Sequence, residues 1–380
     1  MAVAALYERN VNDMTFACTA CDSRYEYNLP RWRCDCGAHL NLDYQAAFTK
    51  EDINTNRFNM WRYEKAYPIP YSGITVTFDE GLTPLVSVKL GGGGVRVKLE
   101  CLMPSCSFKD RGTVMAINYL KNHGVTYITE DSSGNAASSV AAYCALAGLK
   151  CSVYVPAGNS SGKIIQAKAY GAQVHPTPGT REDVAAAAQV HAQSYAGHNW
   201  HPMFEPGYKS IAYEIWEQSG FSAPDAVFAP CGGGGLTLGL ASGFADLLRN
   251  GQIKKLPKIY AVQPENCNPI YRAFHGVEGE FVPTPTIAEG TSIAKPIKIR
   301  EIVDGVRASG GQMVSVTDEQ ILEALPVASQ AGIYIEPTSA SAFAAYAKMR
   351  AAGEVSSADD VVIVASGNGL KATDKIKDMV

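Results

Sequence analysis

Short apolar runs along the chain alternate with turn-rich stretches and longer helical segments, and from Val125 onward this alternation is regular. Val125 to Thr129 reads as a strand, Asp131 to Gly134 as a turn, and Ala136 to Ala147 as an Ala-rich helix. The strand Cys151 to Val155 with the helix Lys163 to Tyr170, then Val174 to Pro176 with the helix Arg181 to Tyr195, repeat the unit. A second series starts near Tyr208. It runs through the helix Lys209 to Ser219, the strand Ala226 to Ala229, the helix Leu236 to Asn250 and the strand Ile259 to Val262. It ends with the helices Thr317 to Gln330 and Ser339 to Arg350 and the fully apolar strand Val361 to Ala365. Strands alternating with helices of this length predict βαβ units and parallel sheets. The fold class is therefore α/β, with two doubly wound lobes and a cleft between them.

Ahead of these series, Gly81-Leu82-Thr83-Pro84-Leu85 turns into Val86 to Leu90, and Val95 to Leu99 follows Gly91 to Gly94 as a second strand. Glu51 to Tyr71 carries Trp61, Tyr63, Tyr67 and Tyr71, which predicts a segment covering the main body or an oligomer interface. That segment makes a homodimer the expected assembly.

Composition narrows the partners. With 46% hydrophobic and 18% charged residues, the chain can build two real cores and is not disordered. A net charge of −4 without a basic stripe excludes nucleic acid and an anionic membrane as main partners, leaving small substrates. Met1 to Asn10 has no charged start followed by an apolar core, and no apolar run reaches the length of a membrane span, so a cytoplasmic protein is expected. The ten cysteines then read as reduced thiols or metal ligands. Cys18-x2-Cys21 and Cys34-x-Cys36 flank a hairpin-like segment and can converge on one tetrahedral zinc, as in a zinc ribbon. A metal-free hairpin with surface thiols is the alternative.

Ser107-Phe108-Lys109-Asp110-Arg111-Gly112 carries the candidate nucleophile. Lys109 stands at the start of a helix expected from Thr113 to Asn122, where the positive helix end and the neighbouring Phe108 lower an amine's pKa and make it a Schiff-base lysine. Three turns at strand ends accompany it. Gly232, Gly233, Gly234 and Gly235 lie between a strand and a helix and can point successive N–H groups at one phosphate; without a Lys-Ser/Thr ending the loop favours a phosphate monoester over a nucleotide. Ser132, Ser133 and Asn135 offer a seat for a carboxylate at a helix start, although ordinary capping uses the same residues. Ser366, after the last strand, presents a neutral hydroxyl.

In this order, these motifs resemble the fold-type II pyridoxal-phosphate enzymes, of the tryptophan synthase β-like fold, and within them the threonine synthases. Ala288-Glu289-Gly290, Glu336 to Ala340, the Gly81 to Leu85 turn and the cysteine segment belong to the same resemblance, which spans Phe16 to Asp374. It implies pyridoxal 5′-phosphate bound covalently by Lys109, with Phe108 near the ring, Asn135 on the phenolic oxygen, Gly232 to Gly235 on the phosphate and Ser366 facing the ring nitrogen. Ser132, Ser133 and Asn135 would hold the carboxylate of an amino-acid substrate. The implied domains are a cysteine segment (1–45), a large cofactor lobe (46–108 and 205–380) and a small mobile lobe (109–204).

The chain also departs from that pattern. Met103-Pro104-Ser105-Cys106 stands where threonine synthases have Asn-Pro-Thr-Gly, and Phe204 falls where they carry an arginine that grips the substrate phosphate. The His201-Pro202 to Pro206 run instead resembles serine/threonine dehydratases. The resemblance thus implies a lyase working by β- or γ-elimination or replacement, with a deaminating dehydratase as one alternative and a non-catalytic protein of the same fold as another.

Overall fold

A computed structural model of the protein describes residues 14–90, 93–157, 162–190 and 194–377. The chain divides into two compact units: residues up to Gly81 with Lys109–Ser210, and Leu82–Phe108 with the chain from Ile211 onward.

In the first unit the strands Tyr127–Glu130, Lys150–Pro156 and Gln173–Thr177 form a parallel sheet in chain order. The helices Asn135–Ala147 and Gly162–Ala169 make its crossovers, as alternating strands and helices require. Helix Lys109–Asn122 starts at Lys109, four residues before the expected Thr113, and packs on Asn135–Ala147 and on the short helix Phe204–Tyr208. That second packing needs glycine. A Cβ on Gly207 would lie 1.8 Å from Arg111 O, and one on Gly112 would lie 2.5 Å from Tyr208 Cζ.

Helix Arg181–Gln189 ends before the expected Tyr195. Ser194 and Ala196 instead pair with the Tyr127–Glu130 strand, Thr129 N–H donating to Ser194 O at 2.9 Å and Ala196 N–H to Thr129 O at 2.8 Å. Backbone groups that a longer helix would satisfy internally are satisfied by the sheet.

The cysteine segment is a separate antiparallel sheet in which Thr15–Cys18 lies between Arg24–Glu26 and Leu40–Asp43. Tyr119 on helix Lys109–Asn122 anchors it, its hydroxyl 2.8 Å from Tyr27 O and 2.6 Å from Leu29 O. Trp61, Tyr63 and Tyr67 are fully buried within the chain, so these three rings are core and not an interface.

In the second unit six strands form one sheet, in the order Gln312–Val316, Lys258–Pro264, Ala226–Pro230, Val361–Val364, Gly93–Lys98 and Leu85–Leu90. Every neighbouring pair is parallel except the last. Ala226–Pro230 and Val361–Val364 are buried at every residue, as expected for parallel strands covered on both faces. The strand Gln312–Val316 and the helices Pro269–His275 and Ile299–Ala308 were not anticipated from the sequence. No helix among the described residues is long and apolar enough to cross a membrane.

Candidate active site

In the second unit, four sequence-distant motifs are tied into one surface. The glycine loop leaves strand Ala226–Pro230 at its carboxyl end, and Cys231 N–H fastens it to Val262 O at 2.7 Å. Helix Gly235–Arg249 follows, with Gly234 at φ +87° as its N-cap and no side chain capping it. Its first N–H groups are therefore left without a side-chain cap, the kind of helix start that can bind an anion. Gly232 allows close approach: a Cβ there would lie 2.9 Å from Gly290 O and 3.0 Å from Thr291 Cα.

Gly290 N–H in turn donates to Thr338 Oγ1 at 3.0 Å. Thr338 opens the helix Pro337–Ala351, and the next residue, Ser339, has its hydroxyl 2.9 Å from that of Ser366. Gly367 N–H also donates to Ser339 Oγ at 2.8 Å, so the hydroxyl of Ser366 is seated, 3% exposed, by a fully buried neighbour. Phe108 N–H donates to Ser366 O at 3.0 Å, and Ser107 bridges to Gly367. The stretch before Lys109 is therefore laid along the Ser366 turn.

In the first unit, Lys109 is the half-buried first residue of its helix, and the next two residues are locked. Buried Asp110 accepts from Ser139 Oγ at 2.6 Å, and buried Arg111 donates to Ser210 Oγ at 2.9 Å. The Ser132–Asn135 turn leaves strand Tyr127–Glu130. Gly134 N–H donates to Ser132 Oγ at 3.1 Å, Ser132 is buried, and Ser133 and Asn135 are half-buried. Phe204 is a buried core ring that meets His198 and His201 edge-on.

Sequence reasoning missed two acids just before this turn. Glu130 and Asp131 close the strand: Glu130 Oε1 is 3.0 Å from His198 Nδ1, and Tyr195 donates to Asp131 Oδ1 at 3.0 Å. Burial, then the neighbouring Asp131 charge, pushes the Glu130 carboxyl well above the usual range, while the Lys109 ammonium pulls it back. Burial, then the Lys109 and Arg181 charges, holds the His198 ring well below its ordinary value, so it is neutral. Adjacent acids at the carboxyl end of a parallel strand, just before the Ser-Ser-Gly-Asn turn, were the available signal.

In the cysteine segment, the sulfurs of Cys18, Cys21, Cys34 and Cys36 all lie within 4.8 Å of one another. Cys34 N–H donates to Ala38 O and Gly37 N–H to Cys34 O, each at 2.9 Å, with Gly37 at φ +91°. This tight knuckle turns both thiols of the one-residue spacing inward.

The sequence pattern of the family described as pyridoxal-phosphate dependent enzyme matches residues 76–367. The chain belongs to that family. The chain is also similar to curated threonine synthases. It is 32% identical to that of Methanocaldococcus jannaschii, over 94% of this chain and 93% of the relative, and 33% identical to that of Mycobacterium tuberculosis, over 83% and 89%. Among solved structures, maize serine racemase superposes with a TM-score of 0.66 at 22% identity, covering 78% of this chain and 91% of that one. Threonine deaminase isoform 2 from Solanum lycopersicum gives 0.68 at 21%, covering 87% and 89%. The fold read from the motifs stands, and this pyridoxal-phosphate-dependent enzyme is a lyase of threonine-synthase-like type.

Proposed function

We propose that this pyridoxal-phosphate-dependent lyase acts on a small α-amino acid by β/γ-elimination or replacement, as a threonine synthase does. The observation that carries the reading is the bond from Phe108 N–H to Ser366 O, one residue before Lys109 and on the turn that presents the Ser366 hydroxyl. When bound, pyridoxal 5′-phosphate supplies an aldehyde for a lysine amine and a ring that withdraws electron density from the substrate's α-carbon. The residues fit this group: the uncapped glycine-loop helix offers N–H donors from Gly232 to Gly235 for a phosphate, and the seated Ser366 hydroxyl is a neutral partner for a ring nitrogen.

In this reading Phe108 packs beside the ring, Asn135 donates to the phenolic oxygen, and Ser132 and Ser133 hold the substrate carboxylate. Lys109 Nζ, once free, takes the α-proton. A neutral hydroxyl at Ser366 leaves the ring nitrogen largely unprotonated, which favours elimination over transamination.

Buried Phe204 favours a second reading, a serine/threonine dehydratase, because an apolar ring cannot grip a phosphorylated substrate. A substrate panel separates the two. Phosphate released from O-phosphohomoserine supports the synthase, whereas ammonia and a keto acid from serine or threonine support the dehydratase. A protein that stays colourless and inactive when given the cofactor would be a non-catalytic member, and full activity in Lys109→Ala would overturn the lysine assignment.

Zinc at Cys18, Cys21, Cys34 and Cys36 is part of the proposal. Zn–S bonds of about 2.3 Å set tetrahedral sulfurs about 3.8 Å apart. Here Cys18 and Cys36 are 3.5 Å apart, and Cys21 is 3.7 Å from both Cys34 and Cys36. We also propose a cytoplasmic location, on the reduced cysteines, and a homodimer. Since burial of Trp61, Tyr63 and Tyr67 removes the aromatic argument for the dimer, light scattering is its direct test.

A further inference from the structure

We infer that Asp110 and Ser139 are a positioning pair whose bond sets the first turn of the Lys109 helix against the Asn135 helix, a role that rests on Lys109 and Asn135 holding pyridoxal phosphate as proposed. Asp110 is the second residue of helix Lys109–Asn122, directly after the candidate nucleophile. Ser139 lies one turn into helix Asn135–Ala147, four residues after Asn135 and therefore on the same face. Ser139 Oγ donates to Asp110 Oδ1 at 2.6 Å and lies 2.7 Å from Thr113 Oγ1. Asp110, Thr113 and Ser139 are all fully buried.

One hydroxyl carries one proton, and a carboxylate only accepts. Ser139 therefore gives its proton to Asp110, and Thr113 gives its own to Ser139. Asp110 and Thr113 are three residues apart and share a helix face, so one serine is bracketed by two points of the facing helix. Two points resist both sliding and rotation where one would resist only separation.

Packing alone does not require this arrangement. Both helices bury apolar residues, among them Val114 and Ile117 on one and Ala136 and Val140 on the other. Apolar side chains of matching size can join two elements as stably as a buried carboxylate does, so the directional bond contributes register more than stability. Register matters most at the helix starts, where Lys109 and Asn135 stand, because displacing a reacting group by about 1 Å can cost about a hundredfold in rate. Farther along, the helix has other fastenings. Asn118 Nδ2 donates to Val76 O at 2.7 Å, Thr75 N–H donates to Asn118 Oδ1 at 2.8 Å, and Arg111 donates to Ser210 Oγ at 2.9 Å. Cutting the Asp110–Ser139 bond thus frees the first turn and leaves the helix body held.

The test reads bond formation at Lys109 apart from cofactor affinity. Full-length protein stripped of cofactor is saturated with pyridoxal phosphate and quenched with borohydride at timed intervals, and the tag on the Lys109 peptide is quantified by mass spectrometry. Ser139→Ala and Asp110→Ala should each slow tagging by about tenfold or more. The double variant should be no slower than the slower single, because both substitutions remove one bond. Asp110→Asn, whose amide oxygen still accepts from Ser139, should recover most of the rate. Pyridoxine phosphate, which has the ring and phosphate but no aldehyde, should bind every variant nearly as tightly as the wild type.

Wild-type tagging rates in folded alanine variants, losses that multiply in the double variant, or an Asp110→Asn protein as slow as Asp110→Ala would each overturn the inference. Should the alanine variants not fold, Ser139→Cys, a weaker donor of similar size, must slow tagging, and a wild-type rate there is equally fatal. A wild-type tag on another lysine defeats the cofactor reading and this inference with it, whereas a Lys109 tag that forms at one rate in every protein defeats the inference alone.

Discussion

Lys98 Nζ and Glu214 Oε2 lie 2.6 Å apart, and neither side chain reaches solvent. Lys98 also donates to Thr83 O at 2.6 Å and to Gln218 Oε1 at 2.9 Å. Glu214 accepts from Leu82 N–H at 2.7 Å and Thr83 N–H at 3.2 Å. The pair thus clamps the Gly81–Leu85 turn, in which Leu82 holds a left-handed φ of +49°. Packing around the clamp offsets the cost of that backbone conformation.

Removing Lys98 takes the buried Glu214 carboxylate's counter-charge away and takes a donor from Thr83 O and Gln218 Oε1. Lys98→Met should cost about 3–5 kcal/mol of stability, read as a lower midpoint in urea. A double variant, Lys98→Met with Glu214→Leu, should recover part of that loss, because the uncompensated charge is gone. If Lys98→Met unfolds at the wild-type midpoint, the pair is not holding the turn.

Gly232→Ala addresses the glycine loop. Its methyl would press on the backbone of Gly290 and Thr291, which cannot swing aside as a side-chain tip does. Binding of pyridoxal phosphate, followed by absorbance titration, should weaken at least tenfold while the melting temperature falls by only a few degrees. Wild-type affinity would show that the loop tolerates the shift and does not form the phosphate seat.

The cysteine sheet predicts one zinc per chain by elemental analysis of protein purified without added metal. Cys21→Ser should remove it. Because Tyr119 anchors this sheet to the helix that begins at Lys109, zinc loss should also raise proteolytic cleavage within residues 14–43. Metal-free protein with an equally protected segment would favour a plain hairpin.

Thiol chemistry sets an alkaline limit. Burial pushes the Cys231 thiol up to about 11 and the Cys101 thiol up to about 12, from an ordinary 9.0. Between those values the unfolded chain ionises these thiols and the folded chain does not. Stability is therefore complete below about pH 9 and falls as pH rises toward 11. Urea midpoints measured from pH 8 to 11 should decline across that window, and the decline should shrink in Cys231→Ala. Neither thiol should react with Ellman's reagent at pH 8 in the folded protein.

Much of the candidate site can be proposed from the residues. The four glycines and the Ser366 turn stand where a strand gives way to a helix, and Lys109 at a helix start; local chain chemistry alone marks such places: glycine for unhindered N–H groups, serine for a small hydroxyl, an apolar run for a buried strand. The two-residue and one-residue cysteine spacings likewise announced the cluster before its sulfurs were seen to converge. What the sequence determined by itself was therefore the kind of fold, the cofactor family and the candidate donors, because these follow from short-range pattern.

The tertiary structure decided the rest. That Glu130 meets His198 across 68 positions, that Ser339 seats Ser366, that Gly232 presses against Gly290 and that Tyr195 leaves its helix to join a strand all depend on which distant segments become neighbours. So does the fate of Trp61 and Tyr67, aromatic residues equally suited to an interface or a core. Periodicity assigns a residue to a face of its own element. Only packing determines what that face meets, and for a buried charge the neighbour sets the chemistry.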